Sequence, residues 1–214
     1  HAPQGGFLTT TQSESLVSVF PSTTAVALTS LATATWPADH GLTGWFTYFP
    51  EHRRVIAPLL FTERGTKLDA HSLGLTPADL VSAEPVIGSF FRTVRSFLPA
   101  QIASGAFARW SRAGTRISAY RGFSHAARAI RRHYRRAPGP TYSYLYLTTV
   151  DSYCHEYGTQ SEEVAREVAR VDRLLATIRD SLPASVRMIV TADHGLVDVP
   201  EENHYVFRND DPLA

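Results

Sequence analysis

The chain has 214 residues, of which 43% are hydrophobic and 19% are charged. This composition is that of an ordinary globular protein with enough apolar residues for one substantial core. The 21 Lys and Arg residues nearly balance the 20 Asp and Glu residues, which leaves a net charge of +1. A whole-molecule electrostatic preference for nucleic acid or for an anionic membrane is therefore excluded. No apolar run reaches the roughly 18 residues of a membrane-spanning helix, so we expect no membrane span.

The cysteine content and the first residue bear on the location of the protein. Cys154 is the single cysteine, so it has no partner for an intramolecular disulfide. A chain without disulfides fits a reducing compartment. The sequence begins with His1 rather than Met and contains no signal-like region, so we expect further sequence upstream. These features slightly favour a cytoplasmic location.

The first predicted unit is a strand, a turn and a helix. The segment SLVSVF, residues 15–20, predicts a strand; PSTT closes it, and AVALTSLATA predicts a helix that ends before Pro37. Ser22, Thr23 and Thr24 therefore lie at the start of a helix, where backbone N–H groups form a ready site for phosphate. A run of Ser and Thr at this place more often only caps the helix, which is worth about 1 kcal/mol. Taken alone, the segment favours the cap.

The region from residue 62 to residue 120 is broken by Gly and Pro into short apolar pieces, and we interpret it as an insertion or cap. Within it, the sequence TPADL predicts the start of a helix. Thr76 would cap this helix, and Pro77 would occupy its first turn.

An arginine-rich helix is predicted from Ser124 onward, in the segment HAARAIRRHYRRA. Ala127, Ile130 and Tyr134 are expected to face inward, and the arginines to face largely outward. We interpret the arginines as a solvated helix face. Attraction of an anionic substrate is a less favoured alternative, and binding of nucleic acid is less favoured still.

A βαβ unit is predicted in the last third of the chain. TYSYLYLTTV, residues 141–150, and SVRMIVTADHG, residues 185–195, each predict a buried strand. Thr159 and Glu162 predict a capping box at the start of the helix between them. The apolar residues of that helix follow the alternating three and four spacing of a core-facing helix: Val164, Val168, Val171, Leu175, Ile178 and Leu182. The two strands should be parallel, as in an α/β protein.

Two Asp/His pairs follow these two predicted strands. Asp151 and His155 come after the first strand, and Asp193 and His194 come after the second. Because ligands bind beyond the carboxyl ends of parallel strands, we expect both pairs at the same edge of the sheet. Carboxylate oxygens and imidazole nitrogens are suitable ligands for zinc. Either pair alone is more often structural, whereas the two pairs together favour a metal site.

The chain resembles the alkaline phosphatase superfamily, and most closely its branch of type I phosphodiesterases and nucleotide pyrophosphatases, in four motifs: VFPSTTAVALTSLAT, PADHG, DSYCHEYG and TADHGLVDVP. The resemblance runs from about Ser15 to Pro200. It implies an α/β fold with a doubly wound, mostly parallel sheet flanked by helices. It also implies that residues 1–214 form a single domain that lacks the N-terminal strand and the C-terminal part of the family, with 62–120 as an inserted cap.

The resemblance implies a nucleophile on the first predicted helix. In the family, the nucleophilic Ser or Thr lies ten residues before the small residue of a Thr-Gly pair. Thr33 and Ala34 occupy that pair here, so the nucleophile is Thr24. Thr23 is then its structural neighbour, and His40 of PADHG matches a structural turn.

The resemblance also implies a pair of metal sites. Asp151 and His155 of the DxxxH motif would bind one zinc ion, and Asp193 and His194 of the DH pair would bind a second. Both ions would serve as cofactors. Cys154 lies among these ligands, but its expected role is packing.

The sequence departs from the family pattern in three places. The first metal-ligand Asp of the family follows an N-terminal strand, and residues 1–214 contain no segment that matches it. A further ligand His is expected well downstream of DHG, and His204 comes too early to be assigned to it. Ala27 stands where nucleotide pyrophosphatases commonly carry an Asn that holds a phosphate oxygen, so nucleotide specificity is not implied.

The function that the resemblance implies is zinc-dependent hydrolysis of a small anionic phosphate ester through a covalent phosphoryl-threonine. A phosphodiesterase or nucleotide pyrophosphatase is the closest type, and no nucleic-acid partner is expected. Two alternatives stay open. One is a phosphomonoesterase or phosphonate hydrolase of the same superfamily, and the other is a catalytically inactive α/β binding module.

Overall fold

The computed structural model of the chain describes residues 1–12, 14–90, 92–137 and 139–204. The helices are α1 (Phe7–Thr11), α2 (Thr24–Thr33), α3 (Pro37–His40), α4 (Pro77–Leu80), α5 (Ala106–Ser111), α6 (Phe123–Tyr134), α7 (Thr149–Tyr157) and α8 (Glu162–Ser181). The strands are β1 (Thr47–Phe49), β2 (Arg54–Ala57), β3 (Thr62–Glu63), β4 (Thr93–Pro99), β5 (Arg116–Tyr120) and β6 (Thr141–Leu145). Within the described residues, no helix is both long and apolar enough to cross a membrane.

The described strands form an antiparallel sheet and a parallel sheet. β1, β2 and β3 pair in that order as an antiparallel meander. β4 lies between β5 and β6 and pairs with both in parallel. Parallel neighbours need crossover connections, and α5 and α6 supply them. The carboxyl ends of the three parallel strands therefore meet at one edge, where the chain passes from β6 into α7.

One face of the parallel sheet packs against α6 and α8. Phe97 of β4 and Tyr120 of β5 contact four buried apolar residues of these helices: Ala126, Ile130, Leu174 and Ile178. Burying a large apolar side chain of this kind stabilises the fold by about 1.5–3 kcal/mol. The fold is therefore an α/β fold with a mostly parallel sheet flanked by helices, which confirms the predicted class.

The predicted helices form, although some of their ends differ from the prediction. Thr76 caps α4 in a capping box, as predicted. α2 ends earlier than predicted, because Ala34 adopts a left-handed conformation with φ 56°. The cap of α8 was predicted wrongly: the Ser161 hydroxyl accepts the backbone N–H of Val164 at 3.3 Å. Thr159 instead contacts a residue beyond the helix, as described below.

Two predicted strands are absent from the described structure. Residues 15–20 and 185–195 have no strand assignment, so the predicted βαβ unit is wrong. Ile189 is 79% exposed, although its strand was expected to be buried, and Val17 is 99% exposed. A strand requires a neighbour that pairs with its N–H and C=O groups, and local sequence does not supply one. The strand predicted over residues 141–150 also ends early, at Leu145, because α7 begins at Thr149.

The segment 62–120 also differs from its interpretation as a cap. Its second half carries β4, which is the central strand of the parallel sheet, and β5, which pairs with it. These residues are part of the main sheet rather than an insertion above it. The assignment of residues 1–214 to a single domain stays a prediction, and its last ten positions, 205–214, lie outside the described residues.

His40 has the structural role that its motif predicts. Its side chain is fully buried. Its Nδ1 atom accepts the backbone N–H of Leu42 at 3.2 Å, so its Nε2 atom carries the proton and donates to the Ser30 hydroxyl at 2.9 Å. Burial lowers the pKa of His40 below the ordinary value of 6.5, which keeps the imidazole neutral.

We expect His40 to make the stability of the protein depend on pH. Below the unfolded pKa, the unfolded chain binds a proton that the buried imidazole resists, so the free energy of unfolding falls as the pH falls from about 8 to about 5. His40→Gln should lower the free energy of unfolding near neutral pH by about 1–3 kcal/mol and should weaken this dependence. Urea unfolding at both ends of the range measures the two effects. Exposed His125→Gln is the control, and an undiminished pH dependence in His40→Gln would contradict the assignment.

Candidate active site

The residues predicted to form the site come from three separate parts of the chain and meet beyond the carboxyl end of the parallel sheet. Thr24 is the first residue of α2. α7, which follows β6, carries Asp151 and His155. Asp193 and His194 lie in the extended segment after α8. The sequence predicted that each Asp/His pair would directly follow a strand. In the structure the first pair lies on a helix, and the second pair lies on an extended segment that follows no strand.

The contact between Thr24 and His194 closes the site. The Oγ1 atom of Thr24 lies 2.9 Å from the Nε2 atom of His194. The Nδ1 atom of the same imidazole lies 2.9 Å from the carbonyl oxygen of Gly195, which can only accept a hydrogen bond. Nδ1 therefore carries the proton of the neutral ring, and Nε2 accepts the hydroxyl proton of Thr24.

The start of α2 is not capped by its neighbouring threonine. Thr23 is the N-cap residue, but its side chain makes no capping hydrogen bond. The hydroxyl of Thr24 is directed to His194 instead of to the backbone. The simple explanation of the Ser/Thr run as a side-chain cap does not account for this arrangement. The start of α2 therefore has no side-chain cap from Thr23, and the helix dipole favours a negatively charged group there.

Asp151 lies between the two histidines of the site. Its Oδ1 atom is 3.5 Å from Nε2 of His155, one helical turn away, and 4.0 Å from Nε2 of His194. The Oδ2 atom of Asp193 is 3.8 Å from the same His194 nitrogen. The Oδ1 atom of Asp151 is buried and has no hydrogen-bond partner among the described residues. A buried carboxylate oxygen without a partner is costly, and a cation would satisfy it.

The chemistry of these side chains fits zinc. They offer carboxylate oxygens and imidazole nitrogens, and the Nδ1–H of His194 is held by a backbone carbonyl, as is typical of a histidine that binds a metal through its other nitrogen. Across the described parts of the chain, however, no group of three or more His, Cys, Asp and Glu side chains is arranged to hold a metal ion. The fit therefore rests on donor type and on the unpartnered oxygen of Asp151.

Two neighbouring side chains are kept neutral by their surroundings. The thiol of Cys154 is buried on α7, and burial followed by the nearby Asp151 carboxylate raises its pKa. Burial also raises the pKa of Tyr146, and the carboxylates of Asp193 and Asp151 add to the effect. The packing role predicted for Cys154 agrees with this environment. Tyr146 was not singled out from the sequence, because its residue type resembles the rest of the strand TYSYLYL.

Asp198 is a further residue that sequence reasoning missed. Its carboxylate accepts the backbone N–H of Thr159 at 2.7 Å and the Thr159 hydroxyl at 2.9 Å. This contact fastens the segment that contains His194 to the residues that follow α7. The partners are 39 residues apart, so no local pattern indicates the pairing.

Comparison with known proteins agrees with this geometry. The family model described as type I phosphodiesterase / nucleotide pyrophosphatase matches residues 8–213. The chain belongs to this family. The match confirms the resemblance carried by the four sequence motifs.

Among curated proteins, ectonucleotide pyrophosphatase/phosphodiesterase family member 7 of Mus musculus and of Rattus norvegicus are both similar to the chain. Each is 40% identical over 60 residues, which cover 26% of this chain and 14% of the relative. The similarity to these two relatives is therefore confined to a small part of their length.

Among solved structures, murine ectonucleotide pyrophosphatase/phosphodiesterase 5 is similar in fold. An inactive variant in complex with AMP superposes with a TM-score of 0.51 and 13% sequence identity, covering 78% of this chain and 42% of that one. A second structure of the same murine protein has the same TM-score and identity and covers 77% of this chain. These matches confirm the alkaline phosphatase-like α/β fold. The chain spans less than half the length of its structural neighbour.

We expect Asp198→Asn to loosen the segment that carries Asp193 and His194. The change removes the charge from the contact with Thr159, so amide hydrogens from about residue 193 to about residue 198 should exchange several-fold faster. Hydrogen exchange followed by mass spectrometry measures this effect. Exposed Asp180→Asn on α8 is the matched control. Equal protection of the segment in both variants would show that the contact does not hold it.

Proposed function

We propose that the chain carries the catalytic residues of a zinc-dependent phosphodiesterase or nucleotide pyrophosphatase, with Thr24 as the nucleophile. The observation that carries the proposal is the 2.9 Å contact between Thr24 Oγ1 and His194 Nε2. It joins a hydroxyl at a helix start to one of the Asp/His pairs. Membership of the type I phosphodiesterase / nucleotide pyrophosphatase family supports the class of reaction.

Thr24 would attack the phosphorus atom of the ester. A bond forms between its Oγ1 atom and phosphorus as the hydroxyl proton is lost to solvent, and the bond from phosphorus to the leaving oxygen breaks, with that oxygen taking up a proton. Water later hydrolyses the phosphoryl-threonine, which releases the phosphate product and returns a proton to Thr24. The 2.9 Å contact places the oxygen of Thr24 beside the His194 nitrogen that would bind zinc, and because that nitrogen has one lone pair, binding of the ion would replace this hydrogen bond. The positive end of the α2 dipole would stabilise negative charge on the phosphoryl group next to Thr24.

The Asp/His pairs would hold the metal ions, Asp151 with His155 and Asp193 with His194. Zinc bound there would supply Lewis-acid stabilisation of negative charge on the attacking and leaving oxygens. The unpartnered Oδ1 atom of Asp151 supports this assignment. This support for the metal sites does not depend on the position of Thr24.

A small phosphate ester is the proposed substrate. The AMP complex of the structural neighbour supports a ligand of this size and charge. Ala27 is buried in α2 and gives no side-chain donor three residues after Thr24. The proposal therefore concerns the phosphoester bond and does not assign a nucleotide base. The net charge of +1 gives no support for a nucleic-acid substrate.

Thr24→Ala should abolish turnover in the full-length protein, because it removes the attacking oxygen. Initial rates on bis-p-nitrophenyl phosphate should fall by about 10³-fold or more. Thr23→Ala is the matched control, since its side chain makes no capping bond, and it should keep most of the rate. Normal turnover by Thr24→Ala would refute the assignment. A faster rate of the wild type on the mono ester than on the bis ester would instead favour the alternative phosphomonoesterase.

Asp193→Ala should lower the metal content, whereas Thr24→Ala should leave it unchanged. We expect about two zinc ions per full-length chain, and about one in Asp193→Ala, because one site loses a carboxylate ligand. Elemental analysis of the purified proteins measures the ratio, with exposed Asp180→Asn as the control. Wild-type protein that binds no zinc and turns over neither ester would support the inactive α/β binding module.

A further inference from the structure

A concentrated basic surface lies away from the candidate active site. It is formed by two arginines of the parallel sheet and by the arginines at the carboxyl end of α6, and we call it the arginine surface: Arg95, Arg116, Arg128, Arg131, Arg132, Arg135 and Arg136. Two adjoining cavities, of about 330 and about 490 Å³, open on it. Arg132 and Arg136 line both cavities, so the two are neighbours on the arginine surface.

The arginine surface and the candidate active site lie at opposite ends of the parallel sheet. Arg116 is the first residue of β5, and Arg95 lies near the beginning of β4 and pairs with it. The candidate active site lies beyond the carboxyl end of β6. The direction of the parallel strands therefore separates the two, and they have no residue in common.

The arginine surface lacks compensating carboxylates. None of its seven arginines makes an ion pair with an Asp or Glu in residues 1–12, 14–90, 92–137 or 139–204, whereas Arg54, Arg166 and Arg170 elsewhere do. The C-terminal dipole of α6 stabilises the cations in its last turn, but it does not explain Arg95 and Arg116 on the strands. A cluster of like charges is unfavourable by itself, and bound anions would offset the repulsion.

The polar groups of the larger cavity suit phosphate. The guanidinium of Arg95 donates to the Ser118 hydroxyl at 2.8 Å, which holds it in place. Burial, followed by the charge of Arg116, lowers the pKa of Arg95. His133 also lines this cavity, and its buried Nε2 atom has no hydrogen-bond partner among the described residues. Guanidinium groups bind phosphate oxygens in a bidentate manner, so several of them together favour a ligand with more than one phosphate.

The lining also favours a compact anion over a nucleic-acid strand. Proteins that bind single strands usually stack the bases on exposed aromatic rings. Phe97 is the one Phe, Tyr or Trp residue among those that line the two cavities. Its side chain is only 1% exposed, because it belongs to the core. These lining residues therefore present no exposed Phe, Tyr or Trp ring on which a base could stack.

We propose that the arginine surface is an anion-binding site for a compact ligand with two or more phosphate groups, separate from the candidate active site. Arg132 holds the ligand from α6, Arg136 holds it from the residues just after α6, and Arg95 and Arg116 hold it from the sheet. The site extends beyond the proposed hydrolytic function and does not depend on it.

The probe is inorganic pyrophosphate, and its binding to the full-length protein is measured by isothermal titration calorimetry. All proteins carry Thr24→Ala so that the probe is not hydrolysed. Arg132→Gln/Arg136→Gln should weaken binding by about 10-fold or more, because two charge-assisted contacts are lost. Both side chains are exposed, so the variant should fold normally. Arg95→Gln should weaken binding in the same direction.

The control is Arg173→Gln/Arg187→Gln, which removes the same charge from exposed positions outside the arginine surface. It should change the affinity by less than about 2-fold. An equal loss in this control, or unchanged binding in Arg132→Gln/Arg136→Gln, would overturn the proposal. So would a single-stranded oligonucleotide that binds the same arginines more tightly than pyrophosphate, since the ligand would then be a nucleic acid.

Discussion

The parallel pairing of β4 with both β5 and β6 is the constraint on which the rest of the described fold depends. Five residues of β4 pair with β5, and five pair with β6. Because the three strands run in one direction, every chain segment that leaves a carboxyl end leaves at the same edge. α7 begins at that edge and brings Asp151 toward the start of α2. The sheet therefore determines where the side chains of the candidate site can meet, and the segments that follow its strands determine which side chains these are.

The residues of the candidate site could be predicted from the sequence where they belong to short sequence motifs. The two Asp/His pairs were inferred from residue type and position, and Thr24 was inferred from the family resemblance; the structure brings Thr24, Asp151 and His194 within hydrogen-bond or ion-pair distance. The role of Thr24 and the binding of zinc stay proposals. Asp198 could not have been found in this way. Its role in the structure is a contact with Thr159, and the whole of α8 lies between the two residues in the sequence.

The fold was less predictable, and the errors have a common physical cause. The helix α8 follows from its own sequence, because its apolar spacing specifies a buried face whatever the partner is. Residues 15–20 and 185–195 have the composition of strands, but strand formation depends on a neighbouring backbone. In the described structure the two segments contact each other through a side chain, since the Ser18 hydroxyl donates to the carbonyl of Asp193 at 2.5 Å. β5 and β4 were missed for the same reason: their pairing joins residues that are about twenty positions apart.

The candidate active site and the arginine surface lie at opposite ends of the parallel sheet, and the two ends differ in charge. At the carboxyl end, the carboxylates of Asp151 and Asp193 give the site a negative charge. A phosphate ester could therefore bind there only with the help of cations and of the start of α2, where the helix dipole is positive. At the opposite end, the arginine surface is positive without any metal ion. Arg95 lies on β4, and Asp151 lies on α7, which follows β6. Because β4 pairs with β6, the parallel sheet fixes the separation between the two sites.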